Sequence, residues 1–372
     1  MKIIQVCPRF LPHIGGIETH VYEISRRLAK SNEVFVYTTD PSGKLPKKET
    51  INGIHVRRFK SFAPNQSYFF SSGIFFAIKN QICDVLHIHC SQALSTFFAY
   101  AAIKKSNVGK IFFTSHFCDS ASTKFRLFLH KFYDIFQKYI FFGSNKVICV
   151  SEYEKKKLNE KFGIPLEKLV YIPNGLNVGE FKRKIKVKKT HDFEILTVSR
   201  LERYKNVHRI LPALRSLIEK YPEKDIHMTI VGKGPYKKNL MNEIKRLDLR
   251  NHVLLQQDLP SKKLVEKYKL ADVFVTLSDF EVFGIATLEA LTSNTPVIIS
   301  KNLEFFKDIV INGKNGFIIE DFNELEEKLE FLMKNKISFS FDARQYDWDK
   351  IAKKTLDLYN GLEKMKNNWR QV

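Results

Sequence analysis

At 372 residues the chain exceeds the usual single-domain size and divides most simply into two domains, each able to bury its own core. Its five cysteines (Cys7, Cys83, Cys90, Cys118, Cys149) are scattered and free of C-x-x-C spacing, which argues against a disulfide framework or a zinc site and for a reducing compartment. The net charge of +21 is uneven: residues 1–190 hold 31 Lys and Arg against 13 Asp and Glu, a balance of +18, whereas residues 191–372 hold 30 against 27.

The opening Met1-Lys2-Ile3-Ile4-Gln5-Val6 runs straight into a strand-like segment and lacks the apolar core and cleavage site of a signal peptide. No stretch reaches the roughly 18 uninterrupted apolar residues of a membrane span. A soluble, cytoplasmic protein is expected, at most peripheral on the cytoplasmic face of a membrane. Strand-like runs fall at 3–7, 33–38, 55–59, 85–89, 111–115, 146–150 and 170–172, then at 194–199, 227–231, 253–256, 273–277, 296–300 and 316–319. Helical stretches such as 18–30, 207–221, 237–247 and 322–333 separate most of them. Such alternation in both halves predicts two doubly wound, mostly parallel α/β domains, with ligands at the carboxyl ends of the strands. The cationic stretch 181–191 reads as an exposed linker. The last helix, roughly 348–366, reads as an element added after the final strand–helix unit.

Several segments carry candidate chemistry. Pro12-His13-Ile14-Gly15-Gly16-Ile17-Glu18 follows the first strand and precedes a helix, where Gly15 and Gly16 let a phosphate approach the helix start; the same pair reads equally as a tight turn. It is not G-x-G-x-x-G, so the dinucleotide fingerprint is missing. His87 and His89 alternate along a strand and face one side, as a metal-binding pair would, but no third ligand is apparent nearby and no metal site is expected. His116 ends a strand, a position suited to function, although a lone histidine there is commonly structural. The segment 125–133 mixes bases with aromatics at near-helical spacing. That face suits an anionic membrane surface, and equally an amphipathic helix packed on a sheet. Nucleic acid is the other polyanion to consider, but no nucleic-acid motif is present.

In the second half, Arg200 and Lys205 follow the first strand and suit a diphosphate clamp, against the rival reading of a solvated charged loop. Gly232 and Gly234 form another close-approach turn after the next strand. Ser278-Asp279-Phe280-Glu281-Val282-Phe283-Gly284-Ile285-Ala286-Thr287-Leu288-Glu289 reads as a loop and helix start, with Glu281 on the loop and Glu289 in the first helical turns. Helix-start amides favour anions, and a carboxylate further in accepts bonds from vicinal hydroxyls, so the pair suits a ligand that is half phosphate and half sugar. The plainer reading is an acid pair favoured by the helix dipole.

Taken in order, Gly15-Gly16-Ile17-Glu18, Asp84-Val85-Leu86-His87-Ile88-His89, Thr114-Ser115-His116, Val150-Ser151, Ile172-Pro173-Asn174-Gly175, Arg200 to Lys205, Val231-Gly232-Lys233-Gly234-Pro235 and the Glu281…Glu289 block resemble the retaining glycosyltransferases of family four (glycosyl transferases group 1). The resemblance implies a GT-B fold: two Rossmann-like doubly wound domains facing across a cleft, with the C-terminal helix crossing back to the first. It implies an acceptor domain over 1–178 joined by 348–372, and a donor domain over 179–347. Glu289 would hold the ribose hydroxyls of a UDP- or GDP-linked sugar, and Arg200 and Lys205 the departing diphosphate. Amides around Phe283, Gly284 and Ile285 would cradle the phosphates, Glu281 and His116 would contact the sugar, and Gly16 would let the first domain close. The reaction would retain anomeric configuration and need no metal or cofactor beyond the nucleotide-sugar co-substrate. A lipid-linked or glycan acceptor then fits the basic first half, with an anionic membrane as partner and no nucleic acid.

This chain departs from the family at Asn302-Leu303-Glu304-Phe305-Phe306-Lys307-Asp308, where a glycine pair followed by Pro-Glu is usual, so the wall beside the donor should differ. Glu33-Val34-Phe35 also lacks the Gly-His that often precedes the second strand. Two other readings stand beside transfer: a GT-B nucleotide-sugar epimerase, and a non-catalytic basic scaffold on a membrane.

Overall fold

The computed structural model describes residues 1–64, 69–90, 93–116, 124–183, 185, 188–281 and 283–361, with 124–132 described by backbone alone. The chain separates into two compact units, Met1–Gly175 with Tyr346–Val372, and Leu176–Gln345.

In unit 1 the chain forms β1 (Lys2–Val6), α1 (Gly16–Leu28), β2 (Glu33–Asp40), β3 (Lys48–Ile51), β4 (Ile54–Lys60), α2 (Ser72–Ile78), β5 (Ile82–His89), α3 (Leu94–Ala102), β6 (Asn107–Thr114), α4 (Lys124–Gly143), β7 (Lys146–Cys149), α5 (Glu152–Phe162) and β8 (Leu169–Tyr171). Among the described residues these strands make one eight-stranded sheet, ordered β3-β4-β2-β1-β5-β6-β7-β8. All neighbours are parallel except β3, which lies antiparallel to β4. With β3 set aside, this is the doubly wound order, reversing between β1 and β5. Helices cover both faces, so β1 and β5 bury nearly continuous apolar runs (Ile3, Ile4, Val6; Val85, Leu86, Ile88). Sequence reading passed over β3. Its hairpin turns on Asn52-Gly53, whose φ of 49° and 79° are the left-handed pair a type I′ turn requires.

Unit 2 comprises α6 (Val178–Lys182), β9 (Phe193–Val198), α7 (Ile210–Lys220), β10 (Ile226–Val231), α8 (Lys237–Arg246), β11 (Val253–Gln256), α9 (Ser261–Leu270), β12 (Val273–Thr276), α10 (Ile285–Thr292), β13 (Val297–Ser300), β14 (Gly316–Ile319) and α11 (Glu324–Lys334). Its described strands form a fully parallel sheet, ordered β11-β10-β9-β12-β13-β14, which reverses between β9 and β12. One stripe of α7 (Ile210, Leu211, Leu214, Leu217) packs on that sheet. Each of those side chains contributes about 1.5–3 kcal/mol by leaving water.

Two boundaries differ from expectation. The chain passes between the units at Gly175–Leu176, ahead of the cationic stretch 181–191, which lies inside unit 2. Phe181 is buried against Tyr268, ring centroids 5.9 Å apart, so the stretch begins as packed helix; Lys188, Lys189 and Thr190 are exposed as a linker would be, and residues 184, 186 and 187 lie outside the described set. The last helix, α12 (Trp348–Asn360), starts on the Asp347 cap and ends on left-handed Gly361, earlier than composition suggested; residues 362–372 lie outside the described set. As the fold class requires, α12 belongs to unit 1. Trp348 and Tyr359 enter its core, and a Cβ on Gly175 would fall 2.6 Å from the Trp348 indole. No helix among the described residues is long and apolar enough to cross a membrane. Cys7, Cys83 and Cys149 are free thiols, and Cys118 lies outside the described residues.

Candidate active site

In a doubly wound sheet, ligands bind beyond the carboxyl ends of the two strands at the reversal, where the following loops splay to opposite faces. In unit 2 those strands are β9 and β12. The loop after β9 carries Arg200 and Lys205; the loop after β12 carries Ser278 to Gly284.

The two loops are laced together. Lys205, buried at the end of a 3₁₀ turn (Arg203–Lys205), forms an ion pair with Glu281. Ser278 Oγ donates to the same carboxylate at 3.3 Å. Asn206 takes a left-handed φ of 54°, and its side-chain amide donates to Leu277 O at 3.0 Å and to Asp279 Oδ1 at 2.6 Å. The Tyr204 ring stacks on Phe280 at 4.4 Å with 12° between planes, and the exposed Arg200 guanidinium donates to the Tyr204 hydroxyl at 2.8 Å. Three candidate residues (Arg200, Lys205, Glu281) thus converge. Tyr204, Asn206, Ser278 and Phe280, which hold them, carry no signal that singles them out in the sequence.

Gly232 and Gly234 serve this loop from below. A Cβ on Gly232 would lie 1.9 Å from Ser199 O, and one on Gly234 2.3 Å from Leu201 O. Leu201 N–H donates to Lys233 O, and Tyr236 N–H to Leu201 O, both at 2.9 Å. The missing side chains are therefore used in seating the Arg200 loop.

Gly284 sets the start of α10. Its φ of 73° is left-handed, and a Cβ would lie 2.8 Å from the Phe306 ring, so conformation and packing both demand glycine. Phe305 packs on Phe283 with centroids 4.3 Å apart, and Phe306 is fully buried. The Phe-Phe departure from the family pattern thus forms the wall directly behind the α10 start. The Ile285 and Ala286 amides open α10 with no acceptor in their own helix, whereas Thr287 N–H already donates to Gly284 O at 3.0 Å. Glu289 sits one turn further, where the Tyr268 hydroxyl donates to Oε2 at 2.8 Å. Burial pushes the Glu289 carboxyl up to about 7 against the pull of that hydrogen bond, and the nearby Glu180 carboxylate adds to the rise. Val282 lies outside the described residues.

In unit 1 the corresponding loops follow β1 and β5. Gly15 is extended (φ −173°), and a Cβ there would lie 2.4 Å from Glu18 Oε2; Glu18 folds back over it and pairs with Arg9 at 2.8 Å. A Cβ on Gly16 would meet nothing within 4 Å, which leaves the α1 start open. His116 follows β6 with a left-handed φ of 45°, held by its neighbour: Ser115 Oγ donates to Glu154 Oε1 at 2.7 Å. Glu154 in turn accepts the Val150 N–H at 2.6 Å, while its own N–H is capped by Ser151.

Around His116 lies a group that sequence reading found only in part. His20 on α1 reaches it with ring centroids 5.1 Å apart, and His89 lies 5.5 Å from His20. His20 Nδ1 donates to Asn174 Oδ1 at 2.7 Å, and His89 Nε2 to Gln5 Oε1 at 2.6 Å. Gln5 Nε2 donates to Tyr359 Oη at 3.4 Å; that hydroxyl bonds His87 Nδ1 at 2.5 Å, and His87 Nε2 bonds Thr114 Oγ1 at 2.7 Å. Burial brings His20 down to about 4 and, with repulsion from neighbouring imidazoles, holds His87, His89 and His116 well below the ordinary histidine value. All four rings are neutral at pH 7. His20 was missed because it lies on a helix 69 positions before its partner, and only the tertiary fold brings the two together.

A family model described as "Glycosyl transferases group 1" matches residues 178–355, and one described as "Glycosyltransferase Family 4" matches 14–180. An uncharacterized glycosyltransferase of Methanocaldococcus jannaschii is 27% identical over 406 residues, covering 96% of this chain and 98% of its own. The GDP-mannose:cellobiosyl-diphosphopolyprenol alpha-mannosyltransferase of Xanthomonas oryzae is 25% identical over 389 residues, covering 97% of each. Among solved structures, HepE of Anabaena in complex with UDP and glucose aligns with a TM-score of 0.74 at 17% identity, covering 97% of this chain and 99% of that one. With its two Rossmann-like units and these matches over nearly its whole length, the chain belongs to the group 1 glycosyltransferases of family four and has the GT-B fold.

Proposed function

We propose that this protein transfers a hexose from a UDP- or GDP-linked sugar to a lipid-linked glycan, glycolipid or polysaccharide precursor, with retention of anomeric configuration and without a metal. The observation that carries this reading is the Lys205–Glu281 pair, which joins the loops at the β9/β12 reversal beside Arg200.

As the bond between sugar and diphosphate breaks, negative charge builds on the leaving phosphate. Arg200 and Lys205 supply fixed positive charge for it, with guanidinium geometry suited to two phosphate oxygens. Glu281 accepts hydrogen bonds from sugar hydroxyls once Lys205 turns to the phosphate. The amides of Gly284 and Ile285 meet the phosphates, the ring of Phe283 stiffens that loop, and Glu289 accepts the ribose hydroxyls. Gly232 and Gly234 keep the Arg200 loop in place. In unit 1, Gly15 and Gly16 leave the α1 start open to an anion, and His116 is the group assigned to the donor sugar. The acceptor attacks on the face the leaving group vacates; its proton passes to the departing phosphate oxygen, and no protein nucleophile is needed.

The acceptor assignment draws on the +18 balance of residues 1–190 and on an aromatic surface of unit 1. Phe76, Phe136, Tyr139 and Phe142 are exposed, with Lys104 and Lys138 over the last two rings. Such a face suits the headgroup region of an anionic cytoplasmic leaflet. The Xanthomonas relative, a mannosyltransferase named for a cellobiosyl-diphosphopolyprenol acceptor, supports the same class.

The test is a panel of nucleotide sugars with lipid extract as acceptor, in chelator, following nucleoside diphosphate release. Release that needs both donor and acceptor supports transfer. Donor turnover into an isomer without acceptor would point to epimerisation, and no nucleotide binding at all would sink the donor site. Flotation with anionic vesicles at low salt tests the membrane surface separately; failure to float removes that part.

A further inference from the structure

We propose that His20, His89 and His116 bind one divalent transition-metal ion, Zn²⁺ or a close chemical neighbour, through three ring nitrogens that no other group among the described residues uses. The three side chains come from separate elements, α1, the end of β5 and the loop after β6, and one ligand atom from each lies within 4.8 Å of the others. His20 is 1% exposed and His89 0%. His20 Nε2, His89 Nδ1 and His116 Nε2 are buried and have no hydrogen-bond partner among the described residues. A buried polar atom left unsatisfied is costly, so three in one place call for a shared occupant.

The opposite edges of the rings show what kind of occupant fits. His20 Nδ1–H is spent on Asn174 Oδ1 and His89 Nε2–H on Gln5 Oε1. The inward nitrogens of these two rings therefore carry lone pairs, not protons. Gln5 is itself anchored through Tyr359. An imidazole with one nitrogen's N–H held by an amide oxygen and the other nitrogen left bare is the arrangement that metal-ligating histidines adopt. Three imidazoles with a fourth position open suit Zn²⁺, Co²⁺ or Ni²⁺; an all-nitrogen set with no carboxylate does not suit Mg²⁺ or Ca²⁺.

The ion has no part in the proposed transfer. On the reading of His116 given above, it would occupy the ring edge that the donor sugar uses, so a loaded protein is an inhibited one. Only this consequence rests on that reading; ion binding stands on the geometry alone.

The experiment strips full-length protein with chelator, then titrates it with Co²⁺ and displaces with Zn²⁺, reading stoichiometry and the cobalt ligand-field spectrum. One ion per chain is expected, lost in His20→Asn and His89→Gln. In Asn174→Ala, which frees the His20 tautomer, Kd should rise about 10–100-fold. The second cluster, His191, Asp225 and His227 in unit 2, is the control, and His227→Gln should leave the site intact. No ion bound by the wild type, or binding lost in His227→Gln and kept in His89→Gln, overturns the proposal. If the buried variants do not fold, ring ¹⁵N shifts in wild type decide: Zn²⁺ must move the resonances of all three histidines. Zn²⁺ binding by a protein that shows no sugar transfer even when metal-free would sink the transferase reading and leave the ion site standing. Chelator-insensitive transfer without ion binding would do the reverse.

Discussion

The two units share a doubly wound strand order about their central reversal and end their central strands in opposite electrostatic states. At the β9/β12 reversal the candidate polar groups already have partners: Lys205 has Glu281, Arg200 has Tyr204, and Glu289 has Tyr268. Around His116 the imidazoles of His20, His89 and His116 are neutral, and each keeps a buried nitrogen without a partner among the described residues. A site of paired charges is preorganised without ligand, and releases one partner when a ligand replaces it. A site of unpaired lone pairs gains most from whatever fills it.

Removing Lys205 tests the paired side most severely. Lys205→Ala takes away charge on the leaving diphosphate, and kcat should fall by about 10²–10³-fold with little change in donor KM. Steady-state kinetics at saturating acceptor measures it, and a KM effect alone would break the proposed role. Gly284→Ala should cost about 2–4 kcal/mol in denaturant unfolding, combining a left-handed φ with the clash on Phe306. Shortening the ring in Gly284→Ala/Phe306→Leu should restore part of that loss; simple additivity would show that the clash does not matter. Glu281→Ala leaves the Lys205 ammonium buried without its partner, a loss of about 1–3 kcal/mol after allowing for the partly open carboxylate.

Glu289 sharpens the comparison through pH. Its carboxyl is raised to about 7, so in the free protein it adds stability below its unfolded value near 4.5 and loses that contribution as pH rises through 7. Glu289→Gln should therefore gain stability over wild type at pH 8 and lose the advantage near pH 4.5. Donor binding runs the other way, because ribose hydroxyls bond the ionised form. Nucleotide-sugar affinity should rise about tenfold from pH 6 to 8 in wild type and stay flat in Glu289→Gln. Calorimetric titration reads both. The smallest effect belongs to Gly16→Ala, which meets nothing within 4 Å and should shift the melting free energy by no more than about 0.5 kcal/mol. If activity nonetheless falls, the open start of α1 is functional.

Much of the architecture was readable before any coordinates. Every strand expected from its β-branched and aromatic run is a strand, because parallel strands covered on both faces are apolar nearly throughout and stand out between amphipathic helices. The edge strand β3 escaped because none of Lys48-Glu49-Thr50-Ile51 is buried; the Asn52-Gly53 turn beside it was the available signal. Arg200, Lys205 and Glu281 were found as motif residues, but their contact depends on β9 and β12 being neighbours, which spacing of some 80 positions does not reveal.

The sequence by itself determined the period of each element, the two-unit composition and the chemistry at strand ends, since these follow from local propensity and burial pattern. Only tertiary structure decided which ends meet. It returned α12 to unit 1, set Phe306 against Gly284, and gathered His20, His89 and His116 from three elements. The reason is physical: backbone propensity acts over a few residues, whereas pairing between side chains is set by sheet order and packing across the whole unit.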